Sequence, residues 1–116
     1  MIQNEIHRGE IYLIDLCNQV GSEQGGVRPA IIVQNDKGNK FSPTTLVCPL
    51  TTKKKNLSAT HVELTPADAS VVQDSTVLCE QVRVIDKSRI RKKLGEVVNL
   101  QKIEDINQKI RMSFGL

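Results

Sequence analysis

A glycine-rich segment over residues 21–29 ends in an arginine and a proline, and this segment is well suited to bind a phosphate. Its three glycines allow the backbone to adopt positive φ and to approach a ligand closely. Pro29 biases Arg28 towards an extended conformation, at the start of an apolar run. A guanidinium is planar, permanently charged and bidentate, so we predict that Arg28 binds a phosphate. The alternative is an ordinary hairpin loop with a solvated arginine.

Other groups that could carry catalysis are sparse in the sequence. His7 and His61 are far apart and do not form the histidine pair that some ribonucleases use. The aspartates are scattered among separate segments, and no cluster has the spacing of metal ligands, so we expect neither a metal nor a cofactor. The three cysteines lack any Cys-x-x-Cys spacing, which favours structural thiols over a disulfide framework or a zinc site: Cys17, Cys48 and Cys79.

Composition limits the kinds of partner that the chain can bind. A length of 116 residues predicts one domain, residues 1–116, and no apolar stretch is long enough to span a membrane. The first eight residues lack the apolar core of a signal peptide, so a cytoplasmic location is expected. The net charge of +3 is compatible with nucleic-acid binding. Three aromatic residues are too few for a base-stacking platform, so any bases would be read by polar groups and backbone amides.

Short β-strands separated by turns dominate the predicted secondary structure. Asn99 is a candidate N-cap for one convincing helix, from Leu100 to about Phe114, whose apolar residues recur every three or four positions. The pattern therefore predicts a mainly β fold with short helices, a small, strongly curved β-barrel with a C-terminal helix. The predicted strands are 10–16, 30–34, 45–50 (with Pro49 at an edge or bulge) and 60–64, followed by a β-rich run over 75–84; residues 35–39 and 86–89 are predicted turns.

Six segments, in this order, resemble the MazF/PemK family of toxin endoribonucleases, and most closely its members from Gram-positive bacteria. They are RGEIY at 8–12, GSEQGGVRP at 21–29, QND with GN at 34–39, SPT at 42–44, THVE at 60–63 and LCEQVRVID at 78–86. The resemblance implies an SH3-like barrel of the MazF/CcdB type that forms a homodimer. It also implies sequence-specific, metal-independent cleavage of single-stranded RNA through attack of the 2′-hydroxyl, and neutralisation by a cognate MazE-like antitoxin with an acidic, disordered segment.

The family's catalytic pair matches Arg28 and Thr51, although the unusual Cys48 and Pro49 before it leave Thr52 as an alternative. His61 is interpreted either as a structural residue or as an RNA contact, and the amide of Gln81 suits an unpaired base edge. The expected RNA-binding residues are Ser22, Glu23, Gln24, Gly25, Gly26, Lys53, Lys54, His61, Gln81 and Arg83. Two alternatives to the nuclease stay open: a CcdB-like toxin without nuclease activity, since the chain ends in Phe-Gly-Leu, and an RNA-binding module that does not cleave.

Overall fold

The computed structural model describes residues 5–18, 20–52, 59–71 and 73–116, and in them a mainly β architecture with a C-terminal helix. The predicted fold class is confirmed. The strands are β1 (Glu10–Asp15), β2 (Val27–Ile32), β3 (Thr44–Thr51), β4 (His61–Leu64), β5 (Ser75–Leu78), β6 (Arg83–Asp86) and β7 (Ile90–Glu96); the helices are α1 (Asp36–Phe41) and α2 (Leu100–Phe114). None of the described helices has the length and apolar character needed to cross a lipid bilayer.

The seven strands pair in the order β4–β5–β3–β2–β1–β7, with β6 added alongside β3. All the pairings are antiparallel. In the described residues no ladder joins β4 to β7, so the curved sheet is open rather than a closed cylinder. Two register shifts between β1 and β7 add local twist at that end.

Pro49 lies on an internal strand and not on an edge strand, but at a position that is paired on one side only. Pro49 pairs with Ala30 of β2 on one side. On the other side, the pairing with β6 ends at Val47 and the pairing with β5 begins at Leu50. Pro49 therefore lies in the gap between two partner strands, where its missing N–H breaks no described ladder.

Side chains on the two faces of the sheet form two apolar clusters. One contains Ile11, Ile31 and Leu50 and is covered by α2 through the buried Ile106. The other contains Ile14, Ile32 and Val47. Strands with both faces buried do not alternate strictly between apolar and polar residues, which explains the continuous apolar run in β2.

The turn predicted over residues 35–39 is mostly part of helix α1. Asn35 is the N-cap, and its side-chain oxygen accepts a hydrogen bond from the N–H of Gly38 at 2.8 Å. Asn39 is buried, and its Oδ1 accepts from the Thr45 hydroxyl at 2.7 Å while its Nδ2 donates to the carbonyl of Gln34 at 2.9 Å. These side-chain bonds to residues on either side of the helix stabilise a short helix that contains a glycine, which helix propensity alone does not favour.

The β-rich run predicted over residues 75–84 is interrupted by a 3₁₀ turn, Cys79–Gln81, between β5 and β6. Strand β7 is absent from the sequence-based prediction, because residues 91–94 and 96 are exposed and most of them are charged, so no alternation of apolar and polar residues marks the strand. Helix α2 has the predicted boundaries, and the side chain of Asn99 caps it by accepting from the N–H of Gln101 at 3.0 Å.

Candidate functional site

Arg28 is the second residue of β2, directly after the glycine-rich loop, and its side chain is half-buried. It lies opposite Ile14 in the pairing of β1 with β2. Its Nε donates a hydrogen bond of 2.6 Å to the carbonyl of Gly25. That bond fixes the plane of the guanidinium against the loop, so the loop conformation controls where the two terminal nitrogens point.

The loop before Arg28 turns sharply at both ends. Gly21 and Gly26 have φ of 57° and 74°, conformations that favour glycine. At the base of the loop, the N–H of Gly26 donates to the carbonyl of Cys17 at 2.6 Å, and the carbonyl of Gly26 accepts from Leu16 at 2.8 Å. The glycines predicted to serve close approach to a ligand therefore also serve to reverse the chain.

Thr51 is the last residue of β3. The pairing of β2 with β3 ends where Ala30 lies opposite Pro49. Continuing that antiparallel register by two residues on each strand would place Arg28 opposite Thr51. Thr51 is 3% exposed, whereas Thr52 is exposed and follows the end of the strand. On the continued register, Thr51 rather than Thr52 would share a site with Arg28.

The side chain of Gln81 bridges the Cys79–Gln81 turn and the glycine-rich loop. Its Oε1 accepts from the N–H of Gln24 at 2.9 Å, and its Nε2 donates to the carbonyl of Ser22 at 3.3 Å. The structure thus brings Gln81 together with the loop residues, as expected for one site. In this conformation, both ends of the amide are bonded to the loop backbone.

His61 lies beside Glu80 rather than beside the glycine-rich loop. Its Nε2 is 3.3 Å from a carboxylate oxygen of Glu80, and its side chain is 8% exposed. The hydroxyl of Thr60 donates to the same carboxylate at 3.2 Å. These contacts fix the position of Glu80 in the turn next to Gln81. Among the roles considered for His61, the structural one accounts for these bonds.

An open groove of about 490 Å³ runs between the loop and the turn, lined by Glu23, Gln24, Glu80, Gln81, Val82, Arg83 and Val84. Its charged lining consists of two carboxylates and one guanidinium, which favours recognition of base edges over simple attraction of phosphates. The buried side-chain oxygen of Gln24 has no hydrogen-bond partner among the described residues. Lys53 and Lys54, predicted to bind RNA, lie outside the described residues.

Glu80 lines this groove together with Gln81 and Arg83. The sequence leaves two interpretations of these three residues open: a salt-bridged strand surface, or base recognition or a dimer contact. The sequence signal for Glu80 is its place in the segment LCEQVRVID, next to Gln81. In a continuous β-strand, neighbouring side chains point to opposite faces, so a strand would not bring Glu80 and Gln81 to one groove. The 3₁₀ turn removes that alternation.

The two buried cysteines, Cys48 and Cys79, are not suited to nucleophilic catalysis. Cys48 and Cys79 are buried, and the hydrogen bond between their side chains together with burial raises the pKa of the Cys48 thiol far above its ordinary value. The thiol stays protonated at neutral pH, and the thiol is a poor nucleophile. In the described part of the chain, no three His, Cys, Asp or Glu side chains are grouped so that they could hold a metal ion.

Comparisons with known proteins agree in sequence and in fold. The model of the family described as PemK-like, MazF-like toxin of type II toxin–antitoxin system matches residues 7–114. Endoribonuclease MazF of Staphylococcus saprophyticus is 43% identical over 112 residues, which cover 96% of this chain and 92% of that protein. The crystal structure of MazF from Deinococcus radiodurans has a TM-score of 0.84 at 24% identity, covering 98% of this chain and 100% of that one. A mycobacterial endoribonuclease in complex with its cognate antitoxin has a TM-score of 0.78 at 26% identity, covering 96% of each chain.

Proposed function

Since the chain belongs to the family of PemK-like, MazF-like toxins of type II toxin–antitoxin systems and is an endoribonuclease of that family, we propose that it cuts single-stranded RNA at specific sequences without a metal ion. The observation that carries this proposal is the position of Arg28 at the end of the glycine-rich loop, with its Nε bonded to Gly25; Thr51 lies two residues beyond the last pair of β3 with β2. Both residues match the catalytic pair that the resemblance implies.

The proposed reaction is attack of a ribose 2′-oxygen on the adjacent phosphorus. The 2′-hydroxyl loses its proton as the new P–O bond forms, and the bond to the 5′-oxygen breaks as that oxygen gains a proton. The products are a 2′,3′-cyclic phosphate and a 5′-hydroxyl. The phosphorane between them carries extra negative charge, and preorganised donors stabilise such a charge more than they stabilise the ground state.

Arg28 would supply this stabilisation through its terminal nitrogens, because its Nε is already bonded to Gly25. The hydroxyl of Thr51 would donate to the same phosphate. Thr51 is fixed on an internal strand, opposite Thr76 of β5, so its position requires little reorganisation during the reaction. We assign no proton transfer to Arg28, since its guanidinium stays protonated at any ordinary pH.

The groove beside the loop is the proposed binding site for the RNA bases. Glu23, Gln24 and Arg83 line it, and the carboxylates of Glu23 and Glu80 can accept hydrogen bonds from exocyclic amines. Ser22, Gly25 and Gly26 belong to the proposal as neighbouring loop residues whose backbone groups contact the RNA. Such contacts need unpaired bases, because duplex RNA presents its base edges poorly. Lys53 and Lys54 belong to the proposal as contacts to the RNA backbone, and His61 as the support of Glu80.

A homodimer and an antitoxin complete the proposal. A second groove lies between α2 and the sheet, lined by Leu46, Val84, Ile110 and Phe114 together with three arginines. Phe114 is 62% exposed and Val84 58% exposed, an apolar surface that a second copy of the chain would bury. The cognate antitoxin would compete with RNA through an acidic segment attracted by the cations of the proposed site, Arg28, Arg83, Lys53 and Lys54. The structural neighbour solved in complex with its cognate antitoxin supports such a partner. Because its substrate is cellular RNA, we place the protein in the cytoplasm.

The decisive experiment is cleavage of a long RNA in EDTA, followed by mapping of the ends. We expect a few preferred sites, a 5′-hydroxyl on each downstream fragment, and no cutting where the attacking position is 2′-deoxy.

Arg28→Ala should slow cleavage about 10²–10³-fold, and Arg28→Lys should recover little, because a lysine lacks the bidentate fork. Arg91→Ala, at an exposed arginine of β7, is the control. Cutting of the 2′-deoxy substrate, or dependence on magnesium, would contradict the mechanism. Binding without cutting would favour the alternative RNA-binding module.

A further inference from the structure

The amide of Gln81 connects two segments that are far apart in the sequence. Its bond to the N–H of Gln24 spans 57 residues, and its bond to the carbonyl of Ser22 spans 59 residues. One side chain thus satisfies a backbone donor and a backbone acceptor of the same loop. A primary amide is suited to this task, because it offers a donor and an acceptor on one planar group.

The contact continues from the loop to Arg28. Gln24, whose N–H is bonded to Gln81, directly precedes Gly25, whose carbonyl accepts from Nε of Arg28. Movement of the loop at Gln24 therefore moves the acceptor that orients the guanidinium. Backbone bonds hold the base of the loop at Gly26 and join the N–H of Glu23 to the carbonyl of Val20 at 3.1 Å. The two bonds from Gln81 are the ones that join Ser22 and Gln24 to the Cys79–Gln81 turn.

The other end of the tether is well anchored. Cys79 is buried, and its N–H donates to the carbonyl of Thr60 at 3.2 Å. Glu80 accepts from the hydroxyl of Thr60 and contacts His61. The turn that presents Gln81 is therefore fixed to β4, so a side chain attached to it can hold a loop in place.

We propose that Gln81 is a positioning residue that latches the glycine-rich loop onto the Cys79–Gln81 turn and thereby aims Arg28 at the scissile phosphate. This inference rests on the proposed function of Arg28. It differs from a role of Gln81 in reading a base, since an amide bonded at both ends to the loop would have to release the loop before it could pair with a base edge.

The test uses Gln81→Met, which keeps the length of the side chain and removes both hydrogen bonds. A second variant, Gln81→Glu, keeps an acceptor for Gln24 and loses the donor for Ser22. Gln101→Met is the matched control, at an exposed glutamine whose amide donates to Asp105 within α2. Three quantities are measured on the full-length protein: hydrogen exchange of the Gln24 amide without RNA, kcat and KM on a short RNA, and the distribution of cut sites on a long RNA.

In Gln81→Met we expect faster exchange at the Gln24 amide, because its hydrogen-bond acceptor is removed. We expect kcat to fall about 10–100-fold while KM stays within about threefold of wild type and the cut sites are unchanged, because a small misplacement of a catalytic group affects the rate of the chemical step. Gln81→Glu should fall between this variant and wild type. Unchanged exchange, or an altered base preference at one position, would overturn the latch. Hydrogen exchange is measured without RNA, so its result does not depend on nuclease activity. If exchange at Gln24 is unchanged in Gln81→Met while wild type cuts RNA, the latch is wrong and the proposed function stands. If exchange becomes faster but wild type does not cut RNA, the contact is confirmed and the proposed function is wrong.

Discussion

Replacing Glu10 by glutamine should destabilise the protein at neutral pH and leave its stability less sensitive to acid. Glu10 is buried at the start of β1, and its Oε1 accepts from the His7 N–H at 2.6 Å and the Tyr12 hydroxyl at 3.0 Å. Its Oε2 accepts from Nζ of Lys93 at 2.7 Å. Burial raises the pKa of Glu10, but the combined lowering by these hydrogen bonds is larger than that rise. The pKa of Glu10 in the folded protein therefore lies below its ordinary value of 4.5.

The size of the effect follows from what an amide keeps and loses. The substituted glutamine would retain an oxygen for His7 and Tyr12, at the weaker strength of a neutral acceptor, which costs about 1 kcal/mol. It would present an NH₂ group to Lys93 and lose the ion pair; because Lys93 is 46% exposed, solvent screening limits that loss to about 1 kcal/mol. We therefore expect unfolding to become easier by about 2 kcal/mol at pH 7.

The sign of the pH dependence is fixed by the lowered pKa. In the unfolded chain Glu10 takes up a proton near pH 4.5, whereas in the folded protein it stays ionised to lower pH, so its contribution to stability is lost as pH falls below about 4.5. Urea denaturation at steps from pH 7 to pH 3 should show the difference between wild type and Glu10→Gln shrinking in that window. Glu63→Gln, at an exposed glutamate of β4, is the control. A difference that is the same at pH 7 and pH 3, or a more stable variant at pH 7, would refute the reasoning.

Two further predictions concern packing and assembly. Gly95→Ala should destabilise by about 3 kcal/mol, measured by urea denaturation, because the added Cβ would clash with Cβ of Ser70 and lie 2.6 Å from its carbonyl oxygen. Gly115→Ala, which has space around it but a φ of 74°, should cost only about 1–2 kcal/mol, and equal losses in the two variants would contradict the clash. Phe114→Ser should weaken the proposed dimer, measured as molar mass by light scattering across a dilution series, whereas Phe41→Ser, at a phenylalanine that is 73% exposed on α1, should not. Dimers that persist on dilution in the Phe114 variant would exclude this face as the interface.

The sequence predicts the fold where one local signal dominates. Helix α2 combines an N-cap at Asn99 with a regular apolar spacing, and the structure has the predicted boundaries. Helix α1 depends instead on the bonds of Asn39 to Gln34 and Thr45, which a local pattern of turn-forming residues cannot reveal. Strand β7 is stabilised by its pairing with β1 and not by an apolar face of its own. Its charged residues do not alternate with apolar ones, so the sequence pattern does not predict a strand there.

The candidate site divides in the same way. Arg28 and the loop before it can be predicted, because glycine spacing and the arginine are local features of the sequence. The role of Gln81 cannot be predicted from the sequence, since its two partners lie 57 and 59 residues earlier in the chain. Its amide suits a base edge equally well until the fold shows which groups it contacts.

Stability and activity should be separable in this protein because different ends of β1 serve them. The carboxylate of Glu10 ties the first residue of β1 to Lys93 of β7, at the edge of the sheet. Arg28 lies beside Ile14, near the other end of β1, where the glycine-rich loop leaves the sheet and Gln81 bonds to it. Loss of the Glu10 contacts should therefore lower the free energy of unfolding while the folded fraction keeps its kcat, and loss of the Gln81 contacts should lower kcat in a protein that unfolds at nearly the same urea concentration.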